Sequence, residues 1–365
     1  MTNHVLDLLA LTLVPGLGDR NVKQLISYCG SPAEVFSSNR SKLESIPGFG
    51  SKTASIILNH KTHSEAESII KEAEKKEMEI LTYLDSDYPQ RLKLVIDAPP
   101  IIYKKGNGDL NPPRTIAVVG TRRATDYGKA ATRKIANDLQ ALGSQVVSGL
   151  AYGIDIEAHR AALKNGSSTI AVLAGGLDRI YPSVHKKSAE EMQEYGAIIT
   201  ESRPDTKPDP HLFPARNRII AGMTDATIVV EAAERGGALI TAKIADSYGR
   251  TVFAVPGDII HTYSAGTNHL IATQMALIYT GINDLKYHLN WEETDGKEPA
   301  KKVLPEMTEQ ERKIYELLAA KAAPLEIDQI AIMSQVPINQ LASLLLGLEF
   351  KNVVKSMPGK KYGVI

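Results

Sequence analysis

A segment in the middle of the chain mixes basic and aromatic side chains. LAGGLDRIYPSVHKK, residues 173–187, carries Arg179, Lys186 and Lys187 around Tyr181. Cations bind the phosphates of a nucleic acid backbone, and flat rings stack on unpaired bases. The mixture predicts contact with a single-stranded nucleic acid; the alternative is a solvated start of a helix.

A second basic segment, VVGTRRATDYG, follows a predicted strand that ends at Gly120. Adjacent side chains there point to different sides, so we expect Arg122, rather than Arg123, to face a crevice and bind a phosphate. A surface salt bridge is the alternative. The spacing matches neither a Walker A loop nor the dinucleotide-binding G-x-G-x-x-G. Further cationic candidates, Arg216 and Arg218, follow a Phe-Pro turn.

Glycines recur where the predicted strands end. Ligands of an open α/β sheet bind outside the carboxyl ends of its strands. Glycine there lets the backbone approach a ligand, and the helix that follows favours an anion. We therefore favour a phosphate-lined crevice over the simpler explanation that strand-to-helix turns require glycine. These glycines are Gly120, Gly149, Gly175, Gly176, Gly236, Gly237 and Gly257.

Residues suited to catalysis are sparse. Asp155 and His159 share a predicted helix face, but a His–Asp pair without a placed nucleophile is no triad, so a structural hydrogen bond is expected for the histidine. The histidines lack the spacing of a metal site such as H-E-x-x-H, and Cys29 is the single cysteine. The sequence predicts no catalytic residue, no metal and no cofactor.

The elements that position these residues form an α/β domain over residues 79–287. β-branched runs of four to eight residues alternate there with amphipathic helical patterns. This alternation indicates βαβ units, and thus a Rossmann-like, mostly parallel sheet. Upstream, EILTYL and PPIIYKKG predict extra strands on the same sheet, after a charged connecting helix.

The N-terminal block, residues 1–65, contains a near-repeat. Val14-Pro15-Gly16-Leu17-Gly18 and Ile46-Pro47-Gly48-Phe49-Gly50 each precede a helical pattern. This arrangement resembles paired helix-hairpin-helix (SAM-like) motifs, in which the glycine hairpin brings backbone N–H groups to a DNA phosphate. Such pairs are also common as structural repeats, so contact with DNA here remains open.

The C-terminal block, residues 303–365, follows a polar linker predicted over 288–302. Thr308 and Glu311 have the spacing of a capping box, two further helical patterns follow, and the chain ends in a strand–turn–strand pattern. Three helices and a hairpin predict a winged-helix-like domain. Its third helix, from Ile338 to Phe350, has no Lys or Arg, whereas the wing has Lys355, Lys360 and Lys361. Protein contact, or loose phosphate contact through the wing, is therefore at least as well supported as sequence-specific reading of a duplex.

Composition limits the classes of function. Lys+Arg and Asp+Glu both number 42, so the formal charge is zero and nucleic acid binding requires a local basic patch. The N-terminus lacks the basic start and cleavage site of a signal peptide, and no apolar run approaches the roughly 18–20 residues of a membrane span. A cytoplasmic protein is expected.

Taken in order, these segments resemble the DprA/Smf family (DNA-processing protein A). The resemblance covers about Leu81 to Leu285 and implies a non-enzymatic protein that binds single-stranded DNA. It also implies a homodimer that helps the RecA recombinase load onto incoming DNA in natural transformation, against single-strand-binding protein. The matching pieces are VGTRRATDYG, VVSGLAYGID with AHR, AVLAGGLDRIYP, FPARNRIIAG, VVEA with RGGALITA, VFAVPGD and SAGTNHLI.

The resemblance also implies site residues. Arg122 and Lys186 would contact phosphates, and further candidates are Lys187, Arg216 and Arg218. The pocket backbone would come from Gly120, Thr121, Ser148 and Gly149. The family often has Arg where Tyr152 stands, which shifts the pocket toward stacking, and Ser-Gly-Ser where Gly236-Gly237-Ala238 stands.

Two alternative functions are also compatible with the sequence. One is an enzyme that hydrolyses nucleoside monophosphates, with Glu231 as an acid and Arg122 as a phosphate clamp, although its P-G-G-x-G-T-x-x-E pattern is missing. The other is a helix-hairpin-helix and winged-helix scaffold that binds duplex DNA.

Overall fold

The computed structural model describes residues 3–59, 61–291, 307–319, 325–334, 336–351, 353–357 and 361–364. Contacts divide the chain into two compact units, Met1–Glu293 and Thr294–Ile365. Residues 292–302 of the predicted linker lie outside the described residues, whereas 288 and 289 belong to a helix.

The first unit begins with short helices that bury one apolar face each. Leu8, Leu11, Leu25 and Leu43 are fully buried among them. The two Pro-Gly hairpins open α2 and α5, as the near-repeat predicts, with positive φ at Gly16 and Gly48. The helices are α1 Asn3–Thr12, α2 Asp19–Cys29, α3 Pro32–Ser37, α4 Arg40–Glu44, α5 Ser51–Asn59 and α6 His63–Lys75.

A twisted sheet forms the centre of this unit. Its strands are β1 Glu79–Thr82, β2 Ile101–Lys105, β3 Thr115–Val119, β4 Gln145–Ser148, β5 Thr169–Val172, β6 Ala197–Thr200, β7 Ala226–Val229, β8 Thr251–Ala254 and β9 Leu277–Ile278. The order is β1-β2-β6-β5-β4-β3-β7-β8-β9. The β1–β2 and β2–β6 pairs at one edge are antiparallel, and every further pair, from β6 across the sheet to β9, is parallel. The predicted Rossmann-like sheet and its two extra strands are therefore confirmed.

Helices cover both faces of the sheet, because strands buried on both sides require two covering layers. Every residue of β3 to β7 is buried. The helices are α7 Gln90–Lys93, α8 Asp126–Ala141, α9 Ile154–Lys164, α10 Lys186–Tyr195, α11 Leu212–Gly222, α12 Gly237–Ser247, α13 Ala265–Ala272 and α14 Ile282–Leu289.

The second unit is a small winged helix, as predicted. It contains α15 Glu309–Ala319, β10 Leu325–Glu326, α16 Ile327–Ser334, α17 Ile338–Phe350, β11 Val354–Met357 and β12 Lys361–Val364. The strand order is β10-β12-β11, all antiparallel. The Thr308–Glu311 capping box is present, because Glu311 accepts from the Thr308 N–H at 2.7 Å and Thr308 Oγ1 accepts from the Glu311 N–H at 3.3 Å.

Across the described ranges, no helix combines the length and the apolar character that crossing a bilayer would need.

Candidate functional site

A cavity of about 190 Å³ lies beyond the carboxyl ends of β3 and β7. This is the position where an open parallel sheet binds ligands. The first turns of α9, α11 and α12 surround it. Its lining is Val119, Gly120, Thr121, Arg122, Ala151, Asp155, Phe213, Pro214, Arg216, Asn217, Ile220, Ala232, Ala233, Gly236, Gly237, Ala238, Ile240 and Thr241.

One face of α11 forms a wall of this cavity. Phe213, Arg216, Asn217 and Ile220 lie three, four and seven residues apart, which is the spacing of a single helix face. The wall therefore places one ring, one buried cation and one amide against the same space.

Arg122 extends over the mouth of the cavity. Its side chain is exposed, and its guanidinium carbon lies 5.2 Å from the centre of the Phe213 ring. Within the described ranges Arg122 forms no ion pair. Cation–π contact holds the guanidinium in place while its N–H donors remain available to a ligand. Arg123 is exposed as well but lies outside the lining.

Aromatic rings continue from Arg122 across the surface. The Tyr181 ring lies 6.1 Å from the Phe213 ring, and the Tyr152 ring lies 5.1 Å from the His185 ring. His185 is anchored to the Leu150 carbonyl at 2.8 Å, and Lys186 follows it as the first residue of α10. We call Arg122, Tyr152, Tyr181, Lys186 and Phe213 the basic–aromatic surface.

Both predicted lysines of α10 reach solvent. Lys186 Nζ lies 3.9 Å from Glu190 Oε1, one turn along the helix, and both side chains are well exposed. Such an exposed pair contributes little and leaves the cation able to bind a phosphate. Lys187 is exposed and, in the part of the chain that the structure describes, has no ion pair.

Arg216 is buried beneath the basic–aromatic surface. It is only 5% exposed, and its Nη1 donates to the carbonyls of Gly149 and Val172, the latter at 2.6 Å. These carbonyls lie at the ends of β4 and β5. Arg216 therefore joins α11 to two strand ends, and its Nη1 donor is already used by the protein.

Asp155 faces Arg216 from the first turn of α9. Burial raises the pKa of the Asp155 carboxyl, and the positive charge of Arg216 opposes that rise. The carboxylate also accepts from the Ala151 N–H at 3.4 Å. The two residues balance charge beneath the cavity floor.

At Gly120 and Gly149, other protein atoms occupy the space that a Cβ would need. A Cβ on Gly120 would lie 2.4 Å from Ile154, and one on Gly149 would lie 2.1 Å from Arg216. Gly237, in contrast, has no atom within 4 Å of that position and lines the cavity. Close packing thus explains Gly120 and Gly149, whereas Gly237 leaves space for a ligand.

Ser148 and Thr121 are occupied within the fold. Ser148 is fully buried and its hydroxyl donates to the Val118 carbonyl at 2.6 Å. The Thr121 N–H donates to the Glu231 carbonyl at 2.7 Å. Both residues shape the sheet edge, and Thr121 also contributes to the cavity lining.

Arg218 lies apart from the cavity, contrary to what its neighbour Arg216 suggests. Residues two apart on a helix point in nearly opposite directions. Arg218 donates to Glu201, to Asp19 of α2 at 3.0 Å and to the Asp97 carbonyl. It connects the N-terminal helices to the sheet, and the structure does not bring it together with the other predicted contacts.

The first hairpin also faces the α/β sheet. Asp19 at the start of α2 pairs with Arg218, and Lys23 donates to the Ile96 carbonyl at 2.8 Å. Next to the second hairpin, Lys52 in the first turn of α5 is exposed. The two copies of the repeat therefore have different surroundings.

The two side chains considered for catalysis, His159 and Glu231, form hydrogen bonds within the fold. His159 is fully buried and its Nδ1 lies 2.8 Å from Thr169 Oγ1, so its structural partner is Thr169 and not Asp155. Burial lowers the pKa of His159 to about 3. Both carboxylate oxygens of Glu231 accept from Thr125, at 2.5 and 3.0 Å, at the start of α8.

Phe213, Asn217 and Thr241 were missed by the sequence reasoning as cavity residues. Thr241 is 2% exposed and lines the cavity from α12. Helical spacing from Arg216 could have indicated Phe213 and Asn217, whereas nothing in the local sequence places α12 opposite α11.

Sequence comparison identifies known relatives for all three blocks. The family described as DNA recombination-mediator protein A matches residues 79–290. The DprA winged helix domain matches residues 298–360, and a SAM-like helix-hairpin-helix tandem matches residues 8–60. Protein Smf of Synechocystis sp. is 32% identical over 97% of both chains.

Solved structures agree with these matches. DNA processing protein A from Streptococcus pneumoniae superposes with a TM-score of 0.67 and 33% identity, covering 79% of this chain and 98% of that one. The corresponding protein from Helicobacter pylori, described for its unique single-stranded DNA binding mode, gives a TM-score of 0.53 and 30% identity. That match covers 59% of this chain and 96% of the other.

Proposed function

The chain belongs to the DprA/Smf family of DNA recombination mediators, and on that premise we propose that it binds single-stranded DNA in the cytoplasm without altering it covalently. The observation that carries the proposal is Arg122, exposed and without an ion pair among the described residues, held over Phe213 at the mouth of a cavity. The single-stranded DNA binding described for the Helicobacter pylori relative supports it.

Phosphates and bases would contact different parts of the site. Arg122, Lys186 and Lys187 would neutralise backbone phosphates, and the exposed rings of Tyr152 and Tyr181 would stack on bases. Stacking on an aromatic ring contributes about 1–3 kcal/mol per base. Bases of a duplex are already stacked and paired, so this surface favours an unpaired strand.

The predicted partners belong to the same proposal. A recombination mediator delivers a strand to a recombinase, which supports RecA as the partner and single-strand-binding protein as the competitor. A homodimer is supported by β9, an edge strand whose Leu277 and Ile278 are partly exposed, because an open edge can pair with another chain. Sedimentation as a monomer at micromolar concentration would contradict the dimer.

A non-catalytic role is supported by the state of the acidic and imidazole groups. Glu231 is 2% exposed and holds Thr125, and His159 is fully buried away from the cavity. Neither group is placed to transfer a proton to a ligand above Arg122. The nucleoside-monophosphate hydrolase described above needs Glu231 as a free acid, and its position does not favour that role.

A gel-shift titration tests the proposal. Single-stranded and duplex oligonucleotides of equal length are titrated at several salt concentrations, and nucleoside monophosphates are incubated with the same preparation. We expect tighter binding of the single strand, with a log–log salt slope of roughly −0.7 per neutralised phosphate. Equal binding of duplex, or release of free base from the monophosphates, would overturn it.

A further inference from the structure

We infer that the cavity beside Arg122 selects bases that carry a keto oxygen, thymine and guanine, and that Asn217 makes the selection. The inference rests on the proposed single-strand binding and deepens it, because it names which base the site accepts. It requires that Asn217 present hydrogen-bond donors, and not an acceptor, to the cavity.

The neighbouring arginine fixes the orientation of the Asn217 amide. Arg216 Nε donates to Asn217 Oδ1 at 3.2 Å. A guanidinium has only donors, so the atom facing it must be the amide oxygen. The nitrogen Nδ2, with two N–H donors, then lies away from Arg216, and no described residue accepts a hydrogen bond from it.

The burial of Arg216 makes this orientation durable. Its Nη1 is held by the carbonyls of Gly149 and Val172, so the guanidinium cannot turn to release the amide oxygen. Asn217 and Arg216 both line the cavity. Asn217 therefore presents a donor to the space in which a base would lie.

The other polar groups around the cavity agree with an acceptor-bearing ligand. The first turn of α12 begins at Gly237, and its N-cap, Gly236, supplies no side chain to accept from the backbone N–H groups. Thr241 is 2% exposed, and no hydrogen bond of its hydroxyl is found among the described residues. Asp155, the carboxylate of the lining, already accepts from the Ala151 N–H and faces Arg216.

The volume suits insertion of a ring. About 190 Å³ is several times the roughly 30 Å³ that one water occupies in the liquid. The Phe213 ring forms part of the wall, and in an unpaired strand the Watson–Crick edge of a base is free to be read. A base entering past Phe213 would bring that edge toward Asn217.

Keto and amino bases differ in the group they would present there. At C4 of a pyrimidine or C6 of a purine, the position that the inference places against Asn217, thymine O4 and guanine O6 accept hydrogen bonds, whereas cytosine N4 and adenine N6 donate them. An amino group against the Asn217 N–H groups leaves two donors opposed and unsatisfied. Loss of one such hydrogen bond in a closed site corresponds to roughly fivefold weaker binding or more.

Two homopolymers of equal length isolate this difference. Oligo-thymidine and oligo-5-methylcytidine in the deoxy series share the ring, the methyl group and the backbone. They differ in the carbonyl or amino group at C4 and the proton on N3 that accompanies it. Fluorescence anisotropy at fixed salt should show that the full-length protein binds the thymine strand about fivefold more tightly or better.

Asn217→Ala should reduce this ratio to near one. Asn137→Ala is the matched control, since Asn137 is an exposed asparagine on α8, outside the cavity lining, and should leave the ratio unchanged. Equal binding of both strands by the wild type, or an unchanged ratio in Asn217→Ala, would overturn the inference.

The DNA probes keep the test decisive if Asn217→Ala fails to fold. Deoxyuridine and deoxycytidine strands repeat the keto–amino comparison on the wild-type protein without the methyl group. A preference that follows the carbonyl in both pairs supports the inference, and a preference that follows the methyl group overturns it. Failure to bind any of the four strands would contradict the proposed function instead.

Discussion

The carboxyl edge of the central sheet and the exposed face of α17 differ in the side chains that they expose to solvent. At the sheet edge, Arg122 and Lys187 are exposed cations with no ion pair in the described ranges, and Arg122 lies over the Phe213 ring, which contacts Tyr181. On α17, the large exposed apolar side chains are Ile338, Leu346 and Phe350, polar Asn339, Gln340 and Ser343 are exposed beside them, and the helix has no Lys or Arg.

This difference indicates that a shared topology does not by itself supply the cations that a DNA-binding surface needs. α17 occupies the position of the third helix of a winged helix, which commonly reads a duplex groove. Its large exposed apolar residues, Ile338, Leu346 and Phe350, lie eight and four residues apart along one face. Affinity for nucleic acid depends first on cations available to phosphates. α17 itself supplies none, whereas the sheet edge supplies Arg122 and Lys187.

The largest expected effect is on the free energy of unfolding, and it concerns buried Arg216 beneath the sheet edge. Arg216→Ala removes the donor to the Gly149 and Val172 carbonyls and leaves Asp155 without its compensating charge. We expect a loss of about 3 kcal/mol or more in the free energy of unfolding, measured by urea denaturation. A loss below about 0.5 kcal/mol, as at an ordinary surface position, would show that the stability of the sheet edge does not depend on the Arg216 hydrogen bonds.

A smaller effect is expected from the exposed cation itself. Arg122→Ala should weaken single-strand DNA binding more than tenfold, about 1.4 kcal/mol, and flatten the log–log salt slope by roughly 0.7. Arg133→Ala provides the control, because Arg133 is also exposed but is paired with Glu157 at 2.6 Å. Unchanged affinity would show that Arg122 does not contact DNA, and the sheet edge would then not differ from α17 in this respect.

Low pH should destabilise the first unit through a histidine that the second unit lacks. Burial holds the pKa of His159 at about 3, below its ordinary 6.5, so the unfolded chain binds the proton first. The first unit should therefore lose stability as the pH falls from 6.5 toward 3. All nine histidines precede residue 294, so the winged helix lacks this contribution. His159→Gln should flatten the acid-side loss, as followed by urea midpoints at several pH values; an unaltered pH profile would exclude His159 as its source.

The smallest effect is expected on α17. Replacing Ile338, Leu346 and Phe350 together by Ser should change single-strand DNA affinity by less than about twofold, because no phosphate or base contact is removed. Anisotropy titration of the full-length variant measures this. A tenfold loss would place DNA contact on α17 and invert the comparison.

Much of the architecture could be predicted from local pattern. Alternating β-branched runs and amphipathic helices gave the parallel sheet, and the Thr308–Glu311 spacing gave a helix start. These features depend on side chains close in sequence, so short windows contain the information that specifies them. The candidate site was located for the same reason, since β3 and β4 are followed directly by Gly120 and Gly149.

The roles of individual side chains could not be predicted in this way. Arg216 and Arg218 are two residues apart, yet one is buried against strand ends and the other joins α2 to the sheet. Asp155 and His159 share a helix face in sequence, but the histidine bonds Thr169 on β5. Each outcome depends on partners ten or more residues away, which local spacing does not specify.

The sequence by itself determined the order of strands and helices, the family, and the segments that meet at the sheet edge, because these follow from periodicity and from motifs in a fixed order. Only the tertiary structure decided which cation is exposed and which is buried, and that Asn217 presents its amide nitrogen to a cavity. The physical reason is that desolvation and hydrogen-bond pairing are set by neighbours brought from distant parts of the chain.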